Sequence, residues 1–193
     1  MKYEKLLLDL MEKVAVLEER IELLEKKEKD SLINYKEEDT AEKISTRALV
    51  MDHFEDTLHE STGFTMRKAK RSEGGGLILS KGEKELKVKL TVSKNFASEK
   101  EKLDYKWRSW HTLSENELDL FDFYIFAIKP DDEDPNYFVF SKQQLNDVCN
   151  KKEIDSSGRY HFYFVQTLDH KTYEDRDDNL PMTKYFNDFD FKG

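Results

Sequence analysis

Glu85 and Lys87 lie two residues apart in the most regular alternating segment of the chain. From Glu85 to Ser93, Leu86, Val88, Leu90 and Val92 alternate with Glu85, Lys87, Lys89, Thr91 and Ser93. A period of two puts the first set on one face of a strand and the second on the other, so a carboxylate and an ammonium share the polar face. Cations are dense around them. Residues 64–108 hold 13 Lys and Arg against 6 Asp and Glu, a net of +7, whereas the rest of the chain holds 19 against 35. A protein of net charge −9 thus carries one basic block able to turn a positive face to a polyanion. The plainer use of such a block is strand faces kept soluble by lysine.

Other residue types offer less. The acidic runs Asp131-Asp132-Glu133-Asp134 and Asp175-Arg176-Asp177-Asp178 lack the spacing and the glycine of a calcium loop, and read as solvated loops. His53, His59, His111, His161 and His170 are scattered without zinc spacing. The single cysteine, Cys149, lies on an apolar helix face with Leu145 and Val148 and reads as buried filler. Gly74-Gly75-Gly76 opens no helix and lacks the Lys-Ser/Thr of a phosphate loop.

The elements that must position these residues follow from period and punctuation. An apolar stripe of Leu49, Met51, Phe54 and Leu58 predicts a helix over 46–60, stopped by Ser61-Thr62-Gly63. Strands are expected at 64–71, 77–79 and 85–93, separated by the turns Glu73-Gly74-Gly75-Gly76 and Lys81-Gly82. Ser98 and Glu101 form a capping-box pattern, which predicts a helix holding Leu103, Tyr105, Trp107 and Trp110. The run 121–128, apolar on both faces, reads as a central strand. A strand at 137–140, a helix capped by Ser141 and one strand over 159–168 complete the series. The last twenty residues read as irregular, anchored by Tyr185, Phe186, Phe189 and Phe191. A meander followed by a helical crossover makes an α/β (α+β) domain: a mixed β-sheet flanked by helices.

A helix, a three-stranded meander whose third strand carries Glu-x-Lys, a helix and a buried strand together resemble the core of the PD-(D/E)XK, restriction-endonuclease-like nucleases. The resemblance covers roughly residues 45–150 and rests mainly on element order. It implies a Mg²⁺-dependent DNA endonuclease, with Glu73 and Glu85 as metal carboxylates and Lys87 as the catalytic ammonium. A carboxylate pair holds the hard cation, the cation polarises the phosphate, and the ammonium steadies developing charge. Arg67, Lys68, Lys70, Arg71, Lys89, Lys94 and Arg108 would track duplex phosphates, with Trp107 or Trp110 beside sugar or base. One departure is plain: the second strand, Leu77-Ile78-Leu79, has no acid. A second register is open, with the motif at Lys87-Val88-Lys89. There Lys87 replaces the metal-binding Glu and Gly76 stands near the missing Asp, leaving a domain that holds DNA without cutting it. The competing function is a non-enzymatic dimeric adaptor that binds protein through its acidic C-terminal third.

The N-terminus predicts assembly. Tyr3, Leu7, Leu10, Val14, Leu17, Ile21 and Leu24 repeat at 4, 3, 4, 3 spacing, the seam of a left-handed coiled coil. Lys13, Arg20 and Lys27 at g and Glu4, Glu18 and Glu25 at e suit a parallel homodimer through residues 3–27. A single amphipathic helix packed on its own domain would show the same stripe. The expected organisation is a coiled-coil helix over 1–30, a linker over 31–44 and an α/β nuclease-like domain over 45–193. No apolar run approaches a membrane span and no signal peptide is evident, so the expectation is a cytoplasmic protein without a membrane partner.

Overall fold

The computed structural model describes residues 46–98, 100–131 and 133–191. The expected coiled coil, with Leu7, Leu10, Val14, Leu17, Ile21 and Leu24 at its seam, and the linker lie outside the described residues.

Helix α1 covers 46–62. Its stripe buries Val50, Phe54 and Leu58 completely. It stops where the Thr62 hydroxyl donates to the Leu58 carbonyl and Gly63 takes φ 70°, a left-handed cap that a side chain resists. Strands β1 (Thr65–Lys68), β2 (Leu77–Lys81) and β3 (Lys84–Lys94) then run as an antiparallel meander. The chain next forms β4 (Tyr105–Arg108) and β5 (His111–Ser114) before returning as β6 (Phe123–Lys129), parallel to β3. Strand β7 (Asn136–Ser141) pairs antiparallel with β6, giving the five-stranded mixed order β1-β2-β3-β6-β7. Helix α2 (Lys142–Cys149) opens on the expected capping box, Ser141 accepting from the Gln144 N–H.

Three expectations are corrected. The segment after Ser98 makes one 3-10 turn, Glu101–Leu103, and becomes a strand instead of a helix. Trp107 decides this: it is fully buried, and β4 pairs with a strand nearly sixty residues away. A local capping signal is worth about 1 kcal/mol, less than burying an indole. The single strand expected over 159–168 breaks at Tyr163 into β8 (Arg159–Phe162) and β9 (Phe164–Thr167), which lie in different sheets. The tail is not irregular throughout; β10 (Tyr173–Asp175) and β11 (Leu180–Pro181) form a hairpin. Helices do flank the central sheet, although strands supply most of the cover on one face.

One face is covered by α1, whose side chains meet Leu79, Val88, Leu90, Phe123, Ile125 and Val139. The other is covered chiefly by strands, in the orders β11-β10-β9-β4 and β5-β8, together with α2. Strand β6 is therefore apolar on both sides: Phe123, Ile125 and Ala127 face the helix, while Tyr124, Phe126 and Ile128 face the second layer. Tilted aromatic rings pack there, the centroids of Phe126 and Phe162 4.9 Å apart and those of Phe138 and Phe164 4.4 Å apart. Each such pair adds roughly 0.5–1.5 kcal/mol beyond its area. The domain is thus α+β with a mixed sheet. Among the described residues no helix is long and apolar enough to cross a membrane.

Candidate functional site

The second layer leaves the leading end of β3 uncovered. Register fixes what gathers there. Arg67, Ile78 and Lys87 are cross-strand partners, as are Thr65, Ser80 and Glu85, so these side chains share one sheet face. The 70–76 turn folds against it. Glu73 receives both guanidinium arms of Arg67, at 3.0 and 2.9 Å, and the Lys70 N–H at 2.6 Å. The Arg67 hydrogen bonds, followed by the Lys70 N–H, hold the Glu73 carboxyl down at about 2. Glu85 accepts from the Ser80 hydroxyl at 3.3 Å and lies 3.8 Å from the same guanidinium.

Glu73 and Glu85 do converge, but on Arg67. Both Glu73 oxygens accept from Arg67 and one also from the Lys70 N–H, so a guanidinium stands where a divalent cation would need open oxygens. This donor set does not fit Mg²⁺ as arranged. Among the described residues no three His, Cys, Asp or Glu side chains form another candidate cluster.

Lys87 is differently placed. Its backbone N–H is tied to the Asp122 carboxylate at 2.7 Å. Its ammonium reaches over the Phe121 ring, 5.2 Å from the centroid, and up to Gly74 in the turn. Among the described residues no carboxylate pairs with it. Lys89 also lies over Phe121, at 5.7 Å, but is bound to Glu117 at 2.5 Å. Beneath them Gly76 takes φ 85°, and a Cβ there would stand 2.6 Å from both the Phe121 ring and the Val88 carbonyl. The position beside which the second register wanted an acid therefore has no room for a side chain.

The remaining cations are dispersed. Lys70 and Arg71 are exposed on the turn. Lys68 points to the opposite face of the sheet, in register with Leu77 and Val88. Lys94 lies at the far end of β3 over Phe96. Arg108 is held by Glu101 and by the Phe96 carbonyl. Of the two tryptophans, Trp107 is core and Trp110 is half-exposed. Sequence reasoning missed Phe121, the ring beneath both lysines; within an apolar run nothing marks which aromatic lies at the boundary.

No family model matches this chain, and neither a curated protein nor a solved structure matches it.

Proposed function

We propose that this domain binds double-stranded DNA through the cations around the 70–76 turn and the open end of β3, and that binding requires no metal. The observation that carries the reading is the Lys87 ammonium, poised over Phe121 with no carboxylate partner among the described residues and beside a turn bearing exposed Lys70 and Arg71. Glu73, the acid within that turn, is already neutralised by Arg67, so it offers little repulsion to a phosphate. This is the behaviour expected of a PD-(D/E)XK-like domain in the second register, which keeps phosphate contact and has lost the metal-binding acids.

The test is duplex binding by the full chain, followed by anisotropy over a salt series. Affinity should fall linearly on a log–log plot with salt, and Lys70→Ala, Arg71→Ala and Lys87→Ala should each reduce the slope by roughly one. Chelator should change nothing. Absence of retention at low salt would sink the proposal and favour the protein-binding adaptor. Plasmid cleavage in Mg²⁺ or Mn²⁺ that Glu85→Ala and Lys87→Ala abolish would replace it with the endonuclease reading.

A further inference from the structure

A second feature lies at the other end of β3. From Lys87 to Lys94 is seven residues of strand, roughly 23 Å. Here the β4–β5 and β8–β9 ribbons turn a corner together. β4 pairs with β9 and β5 with β8, so both ribbons change sheet at Ser109-Trp110 and at Tyr163. The Ser109 N–H donates to the Phe164 carbonyl across the bend. Trp110 and Tyr163, the residues at the corner, are left outside the core.

They line a cavity of about 200 Å³ with Phe96 and Arg108. Trp110 is 47% and Phe96 37% exposed. The Trp110 and Tyr163 rings lie within 8° of parallel, and Phe96 stands edge-on to Trp110. The indole is held in place. Its N–H donates to His161 Nδ1 at 3.3 Å, and His161 Nε2 meets the Asp155 carboxylate at 2.7 Å. Asp155 is in turn fixed by the N–H groups of Ser157 and Arg159. An exposed indole anchored by such a chain has already lost its rotamer freedom, which is what a binding platform needs.

The charges around it select the ligand. The Arg176 guanidinium lies 5.8 Å from the Tyr163 centroid, and the Lys94 ammonium 5.8 Å from that of Phe96. Arg108 and Arg176 share the Glu101 carboxylate, at 3.2 and 2.5 Å, and Arg176 also holds Asp177, so the rim presents guanidinium donors already oriented by carboxylates. The Arg108 Nε is itself buried, and the guanidinium is engaged through its other nitrogens by Glu101 and the Phe96 carbonyl. A flat aromatic ring with a phosphate attached suits exposed ring faces rimmed by cations. We infer that this corner pocket binds an unpaired nucleobase, stacked on Trp110 and Tyr163 with its phosphate toward the surrounding cations.

The inference does not depend on the duplex contact at the opposite end of β3. Its test exploits the two tryptophans, one fully buried and one exposed. Adenosine 5′-monophosphate and short single-stranded oligonucleotides, titrated into the full chain, should quench the emission saturably. Trp110→Phe should remove the quenching and, because phenylalanine keeps a ring to stack on but loses the bond to His161, weaken anisotropy-detected binding of a labelled oligonucleotide less than Trp110→Ala does. Tyr163→Ala and Trp110→Ala should each weaken that binding about tenfold, the size of one lost stacking contact. Lys87→Ala should impair duplex binding and leave the quenching untouched, which separates failure of one site from failure of the other. The inference is overturned if nucleotide and oligonucleotide give no quenching at millimolar concentration. Equal competition by ribose 5-phosphate, or quenching by a trimethyllysine peptide alone, overturns it as well.

Discussion

Two clusters of the same chemistry occupy opposite environments. At the open end of the sheet Arg67 joins Glu73 and Glu85, with the Arg67 and Glu73 side chains 43% and 33% exposed. Behind α2, Lys152 joins Asp175 and Asp178, with Lys152 at 2% and Asp175 at 0%. The Asp175 carboxylate also accepts the Tyr163 N–H at 3.1 Å, and the Lys152 ammonium lies over Phe162. One ion group therefore ties the end of α2, the β8–β9 corner and β10 together. Burial pushes the Asp175 carboxyl up against the pull of Lys152, whereas Glu73 is held far down by Arg67. The buried group cannot change partners without stranding a charge. The exposed one can trade a carboxylate for a phosphate at little cost.

The largest effect should come from breaking the buried group. Asp175→Ala leaves Lys152 without its buried partner and should cost about 3–5 kcal/mol in urea unfolding. Lys152→Met combined with Asp175→Leu should recover most of that loss. If Asp175→Ala behaves like a surface change, the contrast between the clusters fails.

His111 extends the rule to a buried base with no acid. It is 4% exposed, bonded to the Thr91 hydroxyl through Nδ1, and its Nε2 has no partner among the described residues. Burial lowers its pKa to about 3 from 6.5. Above pH 6.5 both states are neutral and nothing is lost. Below it the unfolded chain takes up a proton that the folded chain refuses, so stability falls by about 1.4 kcal/mol per pH unit towards pH 3. Urea midpoints measured from pH 7 to 4.5 should show this slope, and His111→Phe should flatten it. Glu73 acts at lower pH: its folded value is depressed, so its contribution is present above about 4.5 and fades as pH falls towards 2.

Gly76→Ala probes the packing under the exposed cluster. A left-handed backbone and the close Phe121 and Val88 neighbours should make it cost about 2 kcal/mol by thermal unfolding. The smallest effect on stability belongs to the exposed group. Glu73→Ala should lower the melting temperature only slightly at neutral pH while raising low-salt retention of duplex DNA, because Arg67 is released. Reduced retention would mean that Glu73 organises the phosphate contact instead of screening it.

Much of the scaffold was legible in the chain. The alternation over 85–93 is β3 with Val88 and Leu90 buried, the doubly apolar run at 121–128 is the central strand β6, and Ser141 caps α2 as its pattern required. A pairing of Glu73 with Glu85 on a metal was what the resemblance implied. That Arg67 would stand between them was not, since its residue type says nothing about which way it turns. The loop reading of Asp175 missed a fully buried ion, because its partner comes from an element 23 residues earlier.

Periodicity and capping are properties of neighbouring residues, so order along the chain marks α1, α2, the meander and the two-faced core strand, while the capping pattern at Ser98 marks only a 3-10 turn. Partner choice is different. Trp107 as a strand residue, the corner at Tyr163, the Asp155–His161–Trp110 chain and the burial of Lys152 all depend on segments distant in sequence. Local propensities differ by about 1 kcal/mol or less, and burial of an aromatic or an ion pair outweighs them. Those energies exist only once the layers have closed, and so the corner pocket and the contrast between the two ion clusters emerge from tertiary packing alone.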